Sequence, residues 1–279
     1  MIQKSYEKSV FGKLYLIPTP IGNLEDITQR ALNILKEVDI VYAEDTRETF
    51  NLLKYYNINK KIESCHKYSE MKHKDKIISL LKEGKNIGYV TDRGTPLISD
   101  PGNVIVDEAI NNNITVIALP GPNALLPAIN MSGLSNQRFL FYGFLNSKKS
   151  LAKKELLDLK GIKQTLIFYE SPFRINDTVK LMKDIFGNRK ASIVREISKI
   201  HEEVLRGTLN DLIELSNSIK GEIVLLVEGN NDIIVDDNNY EELVNNLIKK
   251  GYTKRDAIRE ISDNYGINKN KLYNLVKEK

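Results

Sequence analysis

The sequence lacks several features on which large classes of proteins depend. Its one cysteine, Cys65, excludes an intrachain disulfide framework and suits a reducing compartment. Its apolar runs are short, whereas a helix that crosses a bilayer needs about 20 apolar residues. The start, MIQKSYEKSVFGK, has no apolar core of the kind found in signal peptides. We therefore expect a cytoplasmic protein with no membrane partner.

The usual signatures of phosphate, metal and acyl-transfer sites are also missing. The chain has no GxxxxGK[ST] loop, no GxGxxG after its first predicted strand and no GxSxG. Its three histidines match no zinc spacing, so we expect no metal. With so few histidines a Ser-His-Asp set has no support, and Cys65 is interpreted as a buried structural thiol.

Length, composition and charge indicate two domains and a basic end. The 279 residues with 41% apolar content favour about two domains with cores of their own. The net charge of +4 is concentrated in residues 249–279, which carry nine Lys or Arg and four Asp or Glu. Such an end fits a polyanion partner, and it equally fits a solvated helical face.

The first half of the chain alternates short apolar runs with helical patterns. We predict strands at 13–17, 39–43, 86–91 and 114–119, and helices at 25–38, 75–84 and 101–113. Strands that are apolar on both faces and alternate with helices are typical of a parallel sheet. The pattern therefore predicts an N-terminal α/β domain over residues 1–125.

The second half is richer in strands. We predict strands at 138–145, 164–171, 190–197, 201–208 and 221–229, and helices at 172–186 and 208–218. Fewer crossovers indicate a mixed sheet, hence a second α/β domain over 126–232.

A basic tail, which we place at 233–279, ends the chain. A polar linker at 230–239 leads to predicted helices at 240–250, 253–265 and 268–278. Thr253 and Asp256 resemble a capping box, and a turn at residues 265–268 completes a helix-turn-helix-like outline.

Three loops rich in glycine and proline leave the carboxyl ends of first-domain strands. They are PTPIGNLED (18–26), TDRGTPLISDPG (91–102) and PGPNA (120–124). Because ligands of open α/β sheets bind outside those strand ends, we expect one ligand site; ordinary turn chemistry is the alternative. Asp92 could accept hydrogen bonds from ribose hydroxyls or an ammonium, or cap the amides of its own loop. A sulfonium methyl donor suits such a pocket, because methyl transfer needs mainly that the two reactants are held in line.

Seven sequence blocks, within about residues 12 to 230, carry a family resemblance. They are LIPTPIGNLEDITQRAL, AEDTR, TDRGTPLISDPG, LPGPNA, FYGFL, FYESPFR and VREISK. In them the chain resembles the tetrapyrrole methylase superfamily, and within it the bacterial methyltransferases of small-subunit ribosomal RNA. PTPIGN and TDRGTP stand where the corrin-precursor and diphthine relatives usually carry a GxGxGD-like loop and a GDP motif.

The resemblance implies two α/β domains with S-adenosylmethionine bound in the cleft between them. It implies 2′-O-methylation of a cytidine ribose in the decoding region of 16S ribosomal RNA, with naked RNA or the assembled small subunit as substrate, and a homodimer. Methylation of a small molecule or a protein on the same scaffold is one alternative. A non-catalytic nucleic-acid-binding factor is another.

The resemblance also implies the residues of the donor site. They are Pro18, Gly22, Asp92, Gly94, Thr95, Asn123, Ala124 and Tyr169. Pro18 and Gly22 could instead serve loop geometry, and Thr95 could cap a helix. The family usually has a small residue where Arg93 stands. Because a cation beside a sulfonium is unfavourable, we expect Arg93 to point outward or toward the RNA.

Methylation of a hydroxyl needs in-line geometry and a proton acceptor. Asp45 or Glu170 could orient the 2′-hydroxyl, and neither is assigned as the general base. The candidates for holding phosphate are Arg47, Arg174 and Lys199 near the cleft and Lys254 and Arg255 in the tail. For the residues near the cleft, an ion-pair network between the domains is the competing interpretation.

Overall fold

The computed structural model describes residues 2–7, 10–66, 70–231, 237–265 and 267–276, which contain ten strands in two sheets of five. The strands are β1 (Leu14–Leu16), β2 (Ile40–Ala43), β3 (Lys61–Ser64), β4 (Ile87–Val90), β5 (Val116–Ala118), β6 (Phe139–Phe144), β7 (Thr165–Glu170), β8 (Lys190–Arg195), β9 (Glu203–Thr208) and β10 (Ile223–Val227). The helices are α1 (Gln29–Glu37), α2 (Thr46–Tyr55), α3 (Glu70–Lys82), α4 (Asn103–Asn111), α5 (Leu125–Ser132), α6 (Lys149–Leu159), α7 (Ile175–Phe186), α8 (Leu209–Leu215), α9 (Asp237–Lys249), α10 (Lys254–Tyr265) and α11 (Lys269–Leu275).

The first sheet is parallel throughout, in the order β3-β2-β4-β1-β5. Its side chains alternate between two cores. In β2, Ile40 and Tyr42 pack with α3 and α4, whereas Val41 and Ala43 pack with α1 and α2. Helices thus cover both faces, which explains why the strands read as continuous apolar runs.

The second sheet has the order β6-β7-β10-β8-β9, in which only β6 and β7 are parallel neighbours. One face packs against α6, α7 and α8, and the other packs against Ala128 and Ile129 of α5. The predicted fold class, a parallel first sheet and a mixed second sheet, is confirmed. Because α5 packs on the second sheet, we keep the domain boundary after residue 125 as our proposal.

The structure also contains elements that the sequence reasoning omitted, namely α2, β3, α5 and α6. The strand β3 is polar and partly exposed at the sheet edge, so it offers no apolar run. The predicted helix at 25–38 is split into a 3-10 turn at Leu24–Asp26 and α1. The reason is that Thr28 has an extended backbone, with its hydroxyl accepting a hydrogen bond from the Ala31 amide.

Residues 231–279 form a separate compact unit. Its helices α9, α10 and α11 pack around Val244, Ile258 and Leu272. The Thr253 hydroxyl accepts a hydrogen bond from the Asp256 amide at 3.2 Å, so the capping contact predicted at the start of α10 is present. The helix α9 begins three residues before the predicted position, at Asp237. Residues 232–236 of the predicted linker, Gly266 of the predicted turn and residues 277 and 278 of the last predicted helix lie outside the described residues.

Candidate active site

The loops after β1, β4 and β5 lie side by side, because these strands are neighbours in a parallel sheet. Thr19 and Gly94 exchange two backbone hydrogen bonds, of 2.9 and 3.0 Å. The Thr95 hydroxyl donates to the Pro122 carbonyl at 3.0 Å and ties the third loop to the second. The three glycine- and proline-rich loops therefore meet at one edge of the sheet.

Glycine is required where these loops touch. Gly94 has a φ of +82°, and a Cβ there would lie 3.3 Å from Cγ2 of Ile21. A Cβ on Gly121 would lie 2.7 Å from Cβ of Pro18. Pro18 is buried in this contact between the first and third loops, a position that fits the loop-geometry alternative.

A cavity of about 370 Å³ lies between the loops and the second sheet. First-domain residues lining it are Ile21, 93–95, 98–100, Asn123 and Ala124; second-domain residues are Phe144, 169–172, Ile197 and 221–224. Six of the predicted site residues are among them, namely Gly94, Thr95, Asn123, Ala124, Tyr169 and Glu170. The remaining predicted residues near the cleft, Pro18, Gly22, Asp45, Arg47, Asp92, Arg174 and Lys199, are not in the lining.

Asn123 and Tyr169 are held by their own surroundings. The Asn123 side chain accepts a hydrogen bond from the Leu126 amide at 2.9 Å, in the first turn of α5. The Tyr169 ring packs edge-on against Phe141 and Phe144. Burial and the Asp100 carboxylate raise the pKa of Tyr169 to about 12. Its phenol is therefore protonated at neutral pH and can donate a hydrogen bond.

Glu170 is a buried carboxylate at the end of β7. Its two oxygens accept hydrogen bonds from the Ser171 amide at 2.7 Å and the Thr178 hydroxyl at 2.6 Å. The Arg174 guanidinium lies 3.6 Å away and also donates to the Asn146 carbonyl at 3.0 Å. Glu170 is thus fixed in the cavity wall, and Arg174, predicted to hold phosphate, is engaged by the loop around it.

Asp45 and Asp92 contact each other at the neighbouring strand ends. The Asp92 carboxylate accepts a hydrogen bond from the Asp45 amide at 2.8 Å. Asp45 caps α2, accepting from the Arg47 amide at 2.8 Å and the Arg47 guanidinium at 2.6 Å. These hydrogen bonds lower the pKa of Asp45 to about 2. The two aspartates therefore join the loop after β2 to the loop after β4, outside the cavity lining.

Arg93 borders the cavity and pairs with Glu222 of the second domain. Its side chain is 54% exposed, and the expectation that it points outward or toward RNA stays a prediction. The Glu222 carboxylate neutralises its charge beside the cavity. Glu222 also pairs with Lys199 at 3.0 Å, and Lys199 pairs with Glu196 at 2.9 Å. Lys199, predicted to hold phosphate, is thus part of an ion-pair network of the kind proposed as the competing interpretation.

Sequence reasoning missed several cavity residues. Asp100 lies near the end of the second loop, and burial together with the Glu44 and Asp92 carboxylates raises its pKa to about 6. Its place in the SDPG segment of that loop was the available signal. Residues 221–224 form the opposite wall, and only the strand order of the second sheet brings them there.

The tail presents cations at an unusual position. Lys254 and Arg255 lie in the first turn of α10, where the helix dipole disfavours positive charge. Arg255 is exposed and Lys254 partly so, and neither forms an ion pair within the described part of the chain. Helix stability therefore does not explain why these two cations are there.

The described residues show neither a cluster suited to a metal ion nor a helix suited to span a membrane. No group of three or more His, Cys, Asp or Glu there is placed to hold a metal ion. None of the helices in those ranges combines the length and the apolar character needed to cross a membrane. Cys65 is buried, and burial raises the pKa of its thiol to about 11, which fits a structural role.

Comparison with known proteins identifies relatives along most of the chain. The family described as Tetrapyrrole (Corrin/Porphyrin) Methylases matches residues 13–213. A protein of Bacillus subtilis strain 168 named ribosomal RNA small subunit methyltransferase I is 44% identical over 275 residues, 95% of this chain and 94% of that protein. Proteins of the same name from Halalkalibacterium halodurans and Rickettsia prowazekii are 42% and 38% identical, over 98% and 95% of this chain and 98% and 96% of their own.

Solved structures show the same fold at low sequence identity. Uroporphyrin-III C-methyltransferase from Thermus thermophilus, complexed with S-adenyl homocysteine, matches with a TM-score of 0.57 at 18% identity, covering 78% of this chain and 97% of that one. Diphthine synthase matches with a TM-score of 0.60 at 14% identity, covering 78% of this chain and 90% of that one. At such identities the likeness concerns the fold alone.

Proposed function

The chain belongs to the tetrapyrrole methylase family of S-adenosylmethionine-dependent methyltransferases, and from that premise we propose that it methylates 16S ribosomal RNA of the small ribosomal subunit. The acceptor we propose is the 2′-hydroxyl of a cytidine ribose in the decoding region. The seven sequence blocks support an RNA substrate, as do the names of relatives that match nearly the whole chain.

The cavity walled by the three joined loops is the observation that carries this proposal. Its volume of about 370 Å³ falls within the range of about 300–1,000 Å³ typical of small-molecule sites. Gly94 and Ala124 keep one wall free of bulky side chains, and Asp100 supplies a carboxylate there. Small, apolar and anionic groups together fit a donor that combines a nucleoside with a cationic sulfur.

The residues around the cavity align the methyl donor with the acceptor hydroxyl and shield both from water. When bound, the donor supplies an electrophilic methyl group. Glu170 is a hydrogen-bond acceptor fixed by Ser171 and Thr178, so it is suited to orient an incoming hydroxyl. Asp45 lies outside the lining with its carboxylate held by Arg47. We therefore propose Glu170, in preference to Asp45, as the group that positions the acceptor.

Exposed aromatic and basic side chains support an RNA partner. Phe173 follows Pro172 of the cavity wall and is 95% exposed. An aromatic ring so placed suits stacking on a base, which is worth about 1–3 kcal/mol. Arg47 keeps its side chain 86% exposed although it pairs with Asp45. We propose phosphate contacts by Arg47, Lys254 and Arg255, because Arg174 and Lys199 are engaged by neighbouring residues.

Mass-spectrometric mapping of methylated riboses tests the proposal. Unmodified small subunits and naked 16S RNA are each incubated with the full-length protein and donor, beside reactions without protein. One new 2′-O-methylcytidine in the decoding region is expected. A methylated base, another RNA or a methylated small molecule or protein would contradict the proposed acceptor. Light scattering tests the homodimer that we propose as its assembly.

A further inference from the structure

Three carboxylates line the cavity, and two of them are paired with cations. Glu222 pairs with Arg93 and Lys199. Glu170 lies beside Arg174, at 3.6 Å. The third carboxylate, Asp100, forms no ion pair in the ranges that the structure describes. The cavity therefore contains one carboxylate whose charge is balanced by no side-chain cation among the described residues.

The groups around Asp100 add to this imbalance. The Glu44 carboxylate acts on it from the end of β2 and the Asp92 carboxylate from the end of β4, and both are of the same sign. The Tyr169 phenol of β7 also interacts with Asp100, but it is protonated at neutral pH and so is uncharged. His66 is the basic group that acts on Glu44, where it opposes the rise in the pKa of that carboxyl. Burial and the two carboxylates raise the pKa of Asp100 to about 6, so at neutral pH it is still mostly ionised. Its negative charge lies in a largely apolar cavity, where a charge interaction is stronger than in water.

We propose that Asp100 is the counter-charge for the cationic methyl donor and that it makes the cavity prefer the sulfonium donor over the uncharged thioether product. This inference rests on the proposed placement of the donor in the cavity. Donor and product carry the same adenosine, ammonium and carboxylate groups and differ only in the methyl group and the charge on sulfur. A carboxylate that faces the sulfur therefore discriminates between them, whereas one that faces the ammonium does not.

Calorimetric binding of S-adenosylmethionine and S-adenosylhomocysteine to the full-length protein tests this at pH 7.5. For Asp100→Asn we expect the affinity for S-adenosylmethionine to fall about tenfold or more, given the strength of charge interactions at low dielectric. The affinity for S-adenosylhomocysteine should change less than about threefold, because only the neutral sulfur faces residue 100. Asp107→Asn, an exposed aspartate on α4, is the matched control and should change neither affinity.

The wild-type protein supplies a second measurement that needs no variant. The ionised fraction of a group with a pKa of about 6 falls about fourfold between pH 7.5 and 5.5. Affinity for S-adenosylmethionine should fall by that factor, and affinity for S-adenosylhomocysteine should not. In Asp100→Asn this pH dependence should disappear, which separates Asp100 from Glu44, Asp92 and His66.

The outcomes that overturn the inference are distinct from failure of the proposed function. Equal losses for both ligands in Asp100→Asn, or no loss for either, would overturn the role of Asp100 while leaving the donor site in place. A wild-type affinity for S-adenosylmethionine that does not vary between pH 7.5 and 5.5 would do the same. A wild-type protein that binds neither ligand would overturn the donor site itself, and this inference with it.

Discussion

The Arg93 guanidinium and the Glu222 carboxylate meet across the cavity, one from the loop after β4 and the other from the residue before β10. Both side chains are about half exposed, at 54% and 53%, so the pair is worth at most about 1 kcal/mol. Its importance lies in its position, because it joins a first-domain loop to the second domain beside the proposed donor.

We expect this pair to contribute to donor affinity as a unit. Arg93→Ala and Glu222→Ala should each weaken binding by up to about fivefold, and the double variant should be no worse than the poorer single variant. The difference between the loss in the double variant and the summed losses of the two single variants should vanish in about 1 M salt, where the Debye length is about 3 Å. Calorimetry of the four proteins checks this, with Lys74→Ala, which removes a 3.1 Å pair to Glu108, as control. Additive losses would show that the two residues act separately.

We predict that the Lys199 side chain leaves room only for glycine at position 22. A Cβ at Gly22 would lie 2.4 Å from Cγ of Lys199, so Gly22→Ala must displace Lys199 from Glu196 and Glu222. We expect a loss of about 1–3 kcal/mol in the free energy of unfolding, measured by urea denaturation. In a Lys199→Ala background the same change should cost at least about 1 kcal/mol less.

Gly161→Ala is the matched control for this prediction, since an added Cβ there meets nothing within 4 Å. It should leave stability unchanged or slightly improved. If Gly22→Ala costs the same with and without the lysine, the close approach of residues 22 and 199 is not what selects glycine.

The sequence predicted the parts of the site that depend on local chemistry. Loops with several glycines and prolines at strand ends mark backbone that must approach a ligand or another loop, and parallel strands bring such ends together. That reasoning located the loops, and the family resemblance then implied Gly94, Thr95, Asn123 and Ala124 within them, which line the cavity. The same local signals revealed the apolar strands of both sheets, whereas the polar edge strand β3 was missed.

The parts that the sequence did not reveal depend on contacts between distant segments. Asp92 and Asp100 occupy the same loop, and nothing local shows that only Asp100 faces the cavity. The Arg93 side chain finds its partner 129 positions away. Leu97 and Ser99 adopt positive φ of 73° and 68°, which non-glycine residues rarely do, so the path of this loop was also hidden.

Asp100 should decrease the stability of the protein at neutral pH. Its folded pKa of about 6 lies above the usual aspartate value, so the folded state holds the proton more tightly than the unfolded state does. The stability gained in this way is present at low pH and is lost as pH rises through about 6, where ionising the partly buried carboxyl becomes a cost to folding. Asp100→Asn removes this cost and should raise the free energy of unfolding by on the order of 1–2 kcal/mol at pH 7.5, with little effect at pH 4. Urea denaturation at both pH values measures it. Equal stability of variant and wild type at pH 7.5 would contradict the assignment.

Phe173 should contribute to RNA affinity without affecting the donor. Phe173→Ala removes a ring that is 95% exposed, so folding should be unaffected, whereas the loss of one stacked base costs about 1–3 kcal/mol of RNA binding. Tyr55→Ala, an exposed aromatic on α2, is the control. Filter binding to the small subunit, with donor calorimetry beside it, checks both parts. Unchanged RNA affinity would remove Phe173 from the proposed interface.

The tail offers a test based on the salt dependence of binding. Lys254 and Arg255 occupy a first helical turn, where cations are unfavourable for the helix but favourable for a bound phosphate. If both contact phosphate, Lys254→Ala/Arg255→Ala should weaken RNA binding and reduce the slope of log affinity against log salt by about 1.4–1.8. Thermal stability should not fall, because the replaced charges oppose the helix dipole. The control, Lys153→Ala/Lys154→Ala, removes two neighbouring exposed lysines from α6 and should preserve the slope. An equal loss of slope in both double variants would mean that RNA responds to the total charge of the protein, and the tail would then have no special part in recognition.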